Sequence, residues 1–384
     1  MSIWAQASQP QAAEVLRAAA SAAGDANSNQ MTHAWLLTGP AGSGRSTLAF
    51  AFASALISGQ PDSDPTTQAQ IDARTHPDLH VLTTEGVIIK IGDVREVVKR
   101  SHFAPSAGRF RVIVVEDADR MTEHTSNVLL KELEEPLPTT VWILCAPSEA
   151  DLLPTIRSRV RSIRLTTPAI ETVAELLQQR LGVSVELAEQ SARLAQSHVG
   201  MASRLAASEQ ARERRAETLQ LALGVRSTRS AVEAAARLLE IAGEDSSALT
   251  EERNAEERER AFRSLGLEPG QAVPPALRSQ IKALEDDQKR RATRALRDGV
   301  DRILTDLGSV FRDVLLMQLG AELELVNSEF TADLERAAAI ASPADTLRTL
   351  DAIAEARSRI QSNVQPILAL EALMIQSRRT EHSR

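Results

Sequence analysis

Eight consecutive residues constrain this chain more than any others: Gly39-Pro40-Ala41-Gly42-Ser43-Gly44-Arg45-Ser46. They fit the phosphate-loop spacing G-x-x-x-x-G-K-[ST], with arginine in the lysine position. The flanks suit such a loop. The apolar run Ala34–Leu37 precedes it, and a helical stretch through Leu48–Ile57 follows, closed by Gly59. Glycines let the backbone wrap an anion, and the N–H groups at the helix start face it. The usual lysine reaches terminal phosphates as a compact ammonium. A guanidinium is larger, planar and forked, so Arg45 is no equivalent. Gly39, Gly42, Gly44, Arg45 and Ser46 are therefore candidate nucleotide contacts of an altered loop, and nucleotide binding without hydrolysis is left open.

A strand–loop–helix start implies a parallel sheet with crossover helices, and the pattern that follows supplies one. Strands are expected at Leu79–Leu82, Val87–Ile91, Val112–Val115, Val141–Ala146 and Ser162–Leu165. The continuous apolar run Val112–Val115 marks a strand buried on both faces. Helices are expected at Ala12–Ala23, as a peripheral element, at Asp93–Lys99, and at Thr125–Glu135 with Pro136 as its stop. Gln60–Ala73 reads as a polar surface loop. Strand signals end after Pro168. Helices follow at Ile170–Leu181, at Val185–Leu194 and from Met201 onward. Val300, Ile303, Leu304, Leu307, Val310, Phe311, Val314 and Leu315 recur at helical spacing, and Val364–Ile375 is a second apolar helix. Glu244–Gln271 mixes charge signs and reads as a solvated helix face or linker, without an assigned role.

The buried strand ends in Glu116-Asp117. A hydrolysing site wants the order Asp then Glu, with Asp on magnesium and Glu on the attacking water. The reversed order changes each side chain's reach by about one C–C bond, roughly 1.5 Å. A misplacement of ~1 Å can cost on the order of 10²-fold in rate. Arg45, Glu116 and Asp117 together thus argue against self-contained ATP hydrolysis. Composition narrows the partners. A net charge of −8, 3% aromatic residues and no tyrosine give no whole-chain basic footprint or stacking platform for nucleic acid. With one cysteine, Cys145, no intramolecular disulfide is expected. No run approaches ~18 apolar residues, and Met1–Ala12 lacks an export signal, so a cytoplasmic chain without membrane partners is expected. The chain holds five lysines and 39 arginines, so an arginine cluster such as Arg157, Arg159, Arg161 and Arg164 is not by itself a site.

In combination these residues resemble the AAA+ clamp-loader subunits of bacterial DNA polymerase III, and among them the delta-prime branch. The resemblance is carried by Met31 to Gly39, Thr75-His76-Pro77-Asp78, Glu116 to Thr122, Asn127 to Pro136 and Ser158-Arg159. It continues through Phe311 to Leu315 and Asn363 to Glu371. It implies an α/β AAA+ P-loop module at 1–166, a small helical lid at 167–225 and an all-α collar that oligomerises at 226–384. It also implies a subunit that does not itself hydrolyse ATP and requires no cofactor. Its partners would be delta and gamma/tau subunits in a heteropentamer that places a sliding clamp on primed DNA. The resemblance makes Arg159, with Ser158 beside it, an arginine finger reaching ATP bound by a neighbour. Val160 stands where the family's Ser-Arg-Cys motif has cysteine. Other departures are Ala146-Pro147-Ser148 in place of a sensing Thr, and Arg204 one place late after Gly200. The alternative within the family is a gamma/tau-type ATPase, which should keep a lysine at position 45 and the Asp-Glu order. Many members carry a four-cysteine zinc module in the interval Ile57 to His76. This chain has no cysteine there, and His76 and His80 alone make a poor zinc site, so a metal-free variant is expected.

Overall fold

Five short apolar segments organise the first half of the chain in the computed structural model. They are β1 (Ala34–Thr38), β2 (Leu79–Leu82), β3 (Arg111–Val115), β4 (Thr140–Ala146) and β5 (Arg161–Arg164). They pair in the order β2-β3-β4-β1-β5, every pair parallel. Register sets Leu36 against Leu144 and Ser162, and Val114 against Ile143 and Val81. The structure describes residues 3–4, 8–23, 30–84, 88–244, 255 and 278–378.

Side-chain alternation splits the sheet into two faces. Trp35, Leu37, Val112, Val114, Val141, Ile143 and Cys145 share one apolar cluster with α1 (Pro10–Ala22) and α2 (Arg45–Ser58). Trp35 meets Phe52 of α2 edge-on, with ring centres 5.2 Å apart. Leu36, Ile113, Val115, Trp142 and Leu144 pack on the other face against Val94 and Val97 of α4 (Ile91–Ser101) and Leu129 and Leu133 of α5 (Glu123–Glu134). The parallel α/β sheet with helices on both faces is the fold class that the resemblance implies.

Three details differ from the expected elements. The polar interval 60–73 is not all loop. Asp64 caps α3 (Pro65–Asp72) by accepting from the N–H groups of Thr66 and Thr67, and Pro65 takes the first turn, where its missing donor costs nothing. No strand occupies the described part of Val87–Ile91. Ile89 is buried as a connector, its N–H bonded to the Arg120 carbonyl at 2.9 Å, and α4 starts at Ile91. α1 is not peripheral, because its alanines allow close approach and Leu16 is fully buried.

The chain divides into two compact units, the first running to Ala207 and the second beginning at Ser208. The first includes α6 (Pro154–Arg157) and three helices, α7 (Ile170–Leu181), α8 (Val185–Leu194) and α9 (Val199–Ala207), in the segment expected as a lid. α10 (Glu209–Gly224), expected with the lid, falls in the second unit because it packs against the long helix there. That unit is all-helical: α11 (228–244), α12 (Arg278–Leu319), α13 (Thr331–Ile340), α14 (Pro343–Gln361) and α15 (Pro366–Gln376) follow α10 around one apolar core. A buried polar network crosses this core. Arg215 donates to Asp306 at 2.8 Å and to Asn327 Oδ1 at 2.6 Å, and the Asn327 N–H donates to Asp313 at 2.7 Å. Apart from Glu244 and Ala255, the charged interval 244–271 lies outside the described residues. Among the described residues no helix is long and apolar enough to cross a membrane.

Candidate functional site

Parallel strands send every following loop to one edge of the sheet, where α/β proteins bind ligands. Gly39–Ser46 follows β1, Glu116-Asp117 follows β3, and Pro147-Ser148 follows β4, so the predicted loop and acid pair do share that edge. The Gly39 N–H donates to the Pro147 carbonyl at 3.1 Å, joining the first and third of these loops. Gly42 at φ 77° and Gly44 at φ 90° hold the left-handed backbone that the turn needs, and α2 starts at Arg45.

The surroundings of the loop differ from an open anion cradle. The His198 ring, just before α9, lies directly on Gly42. A Cβ placed there would stand 2.3 Å from the ring's Cγ. The Val199 N–H approaches the Gly42 carbonyl at 3.4 Å, and the Gln9 amide donates to the Ser43 carbonyl at 3.1 Å and the Thr166 carbonyl at 2.6 Å. Ser43 Oγ and Arg45 Nη1 are buried without a hydrogen-bond partner among the described residues. The acids are engaged too. Arg74 bonds both oxygens of Glu116, each at 3.2 Å, while its guanidinium lies 4.9 Å over the Phe50 ring. A divalent cation at Glu116 would have to displace that guanidinium. Burial lifts the Asp119 carboxyl above its ordinary range, and the neighbouring Asp117 carboxylate adds to the rise. Among the described residues no three His, Cys, Asp or Glu side chains gather as a metal site. His76 instead accepts from the Asp78 N–H at 3.1 Å, and His80 pairs with the Arg111 guanidinium at 2.6 Å.

Asp78 is a structural hub. It is fully buried and accepts from the N–H groups of Ser106, Ala107 and Gly108, each at 2.7 Å, from Ser106 Oγ at 3.0 Å and from Arg111 at 3.1 Å. Burial alone would raise its pKa, but the backbone donors outweigh it and hold the carboxyl below its ordinary value. Burial pushes the Cys145 thiol up to about 12, so it is inert packing in β4.

Ser158 and Arg159 lie at the opposite edge. They precede β5, whose four residues Arg161–Arg164 run beside Trp35–Thr38 toward Gly39. At about 3.3 Å per residue, the strand alone separates Arg159 from its own phosphate loop by roughly 13 Å. Arg159 Nε donates to Glu134 at 2.7 Å and Nη1 to the Thr155 carbonyl at 2.7 Å. Sequence reasoning placed the loop and acids together but gave no role to His198, Arg74 or Glu134. His198 lies two residues before Gly200 and Glu134 lies within the stretch Asn127 to Pro136, both in segments already singled out, while Arg74 left no signal.

Residues 13–169 match the family described as DNA polymerase III, delta subunit. A delta-prime subunit of DNA polymerase III from Pseudomonas aeruginosa is 36% identical over 137 residues, 34% of this chain and 42% of that protein. The Haemophilus influenzae delta-prime subunit is 33% identical over 156 residues, 39% of this chain and 48% of that protein. The N-terminal part of the chain is thus similar to delta-prime subunits. A DNA polymerase III gamma subunit from Buchnera aphidicola (subsp. Schizaphis graminum) is also similar to it, at 30% identity over 155 residues, 39% of this chain and 42% of that protein. The matched part spans less than half the length of each of these relatives. Within the matched region the phosphate loop and the Ser158-Arg159 pair occupy opposite edges of one sheet.

Proposed function

We propose that this chain is the delta-prime subunit of a DNA polymerase III clamp loader, not hydrolysing ATP itself but completing a neighbour's site with Arg159. Its partners would be delta and gamma/tau subunits in a heteropentamer that loads the sliding clamp on primed DNA in the cytoplasm. The observation that carries this reading is the placement of Arg159 at the sheet edge away from its own loop. From there it does not reach its own phosphate loop, which fits a role on a phosphate held by another subunit. The occupied loop supports the other half of the reading, since Gly42 lies under His198 and Glu116 is paired with Arg74. The gamma-type ATPase reading would need that loop and that acid for chemistry of its own.

The test is reconstitution with the loader subunits of the same organism. The chain alone should hydrolyse no ATP above background, and turnover of about 1 s⁻¹, in the usual enzyme range, overturns the non-hydrolysing role. An arginine finger is worth ~10³–10⁵ in rate. Arg159→Ala should therefore silence the one ATP site it completes while the assembled complex stays intact. Unchanged loader turnover overturns the finger.

A further inference from the structure

Arg159 is not a free side chain awaiting a partner. Its Nε donates to Glu134 Oε1 at 2.7 Å, and Nη2 pairs with the same carboxylate oxygen. Nη1 donates to the Thr155 carbonyl at 2.7 Å and to Ser158 Oγ at 3.1 Å. A guanidinium binds carboxylate and phosphate through the same fork of donors, and Glu134 stands on the Nε–Nη2 edge of that fork. Glu134 closes α5, and Arg159 follows α6 by two residues. The pair is open to an incoming partner, with 32% of the arginine side chain and 46% of the glutamate exposed.

We infer that Glu134 is a positioning residue that holds Arg159 in reserve, its carboxylate occupying the donors that a neighbour's bound phosphate takes on assembly. The inference rests on the role in trans proposed above. Arg159 stays charged throughout and exchanges one anionic partner for another, so no proton or bond changes hands. The exchange has a cost, because the phosphate must displace an ion pair already made. Thr155 and Ser158 hold Nη1 meanwhile, so the guanidinium stays extended along the edge during the exchange. A half-exposed ion pair of this kind shifts an equilibrium by up to about fivefold.

The experiment uses the reconstituted loader with ATP as the probe. Glu134→Gln keeps the side chain's size at an exposed helix end. With phosphate no longer competing for the arginine, the KM for ATP at the completed interface should fall by about two- to fivefold. The effect should fall on KM, not kcat, with a matching fall in the Kd for ATP, and in the Arg159→Ala background, where that site no longer turns over, Glu134→Gln should leave the Kd unchanged. An unchanged KM, a fall in kcat, or the same Kd shift in both backgrounds overturns the inference. The last of these would mean that Glu134 acts by bare charge and not through Arg159. Arg159→Ala alone reads the finger, so the two claims fail separately. A direct readout in the free chain is the nitrogen-15 signal of the Arg159 Nε–H. It should be protected from solvent exchange in the parent and lose that protection in Glu134→Gln. Equal exchange in the two overturns the inference.

Discussion

Replacing Asp78 with asparagine should unfold the first unit at markedly lower temperature, and only above acid pH. The carboxylate's Oδ1 takes the Ser106 N–H, Ser106 Oγ and Arg111, and its Oδ2 takes the Ala107 and Gly108 N–H groups. In Asp78→Asn one of these acceptors becomes an NH2 group facing donors, so at least two buried hydrogen bonds are lost whichever way the amide turns. Arg111, itself buried, also loses its carboxylate. Removing one member of a buried ion pair costs about 3–5 kcal/mol. For a unit of this size each kcal/mol lowers Tm by about 2–4 °C, so the expected fall is roughly 6–20 °C. The assay is built into the chain. Its three tryptophans, Trp4, Trp35 and Trp142, all lie in the first unit, and there is no tyrosine, so indole fluorescence follows that unit alone. The sign with pH follows from the lowered carboxyl. Its contribution is fully present above the unfolded value, 3.8, and is lost as pH falls through the lower folded value. The gap between parent and variant should hold steady from about pH 5 to 8 and close below about pH 4. A variant within about 1 kcal/mol of the parent at neutral pH, or a gap that persists in acid, refutes the reasoning.

Gly42→Ala puts a Cβ against His198 at a left-handed φ and should cost roughly 1–3 kcal/mol by thermal melt. Adding His198→Ala should recover part of that loss. Arg215→Ala strands buried Asp306 and should lower the urea midpoint by the equivalent of about 3–5 kcal/mol. Ser342 and Asp345 form a reciprocal cap on α14, so Ser342→Ala should cost about 1 kcal/mol in the same titration. Cys145 should resist an aromatic disulfide reagent until denaturant is added, and rapid labelling of the folded chain would contradict its burial.

Much of the fold was legible because each signal was local. Gly44 and Gly59 bound α2, Gly182 ends α7, and the apolar run at 112–115 lies in an interior strand paired on both sides. The errors were local too. Asp64-Pro65 looks like turn chemistry and is equally a helix start, while Ile88-Ile89 has strand composition but no neighbour to pair with. The site was half legible. Spacing placed the loop and the acids, and parallel strands brought them together. The residues that decide what the loop and Arg159 can do come from elsewhere in the chain. Arg74 lies 42 residues from Glu116, and Glu134 lies 25 from Arg159. Periodicity carries no information about such pairs, because tertiary packing alone makes them neighbours.

The burial of Cys145 has a practical consequence for following this chain in an assembly. Its only thiol is sealed inside the central sheet, so a cysteine introduced on the surface becomes the one accessible labelling point. A dye or spin label placed on α14 or α6 would then report from a known address, with no background from the parent and no native cysteine to remove.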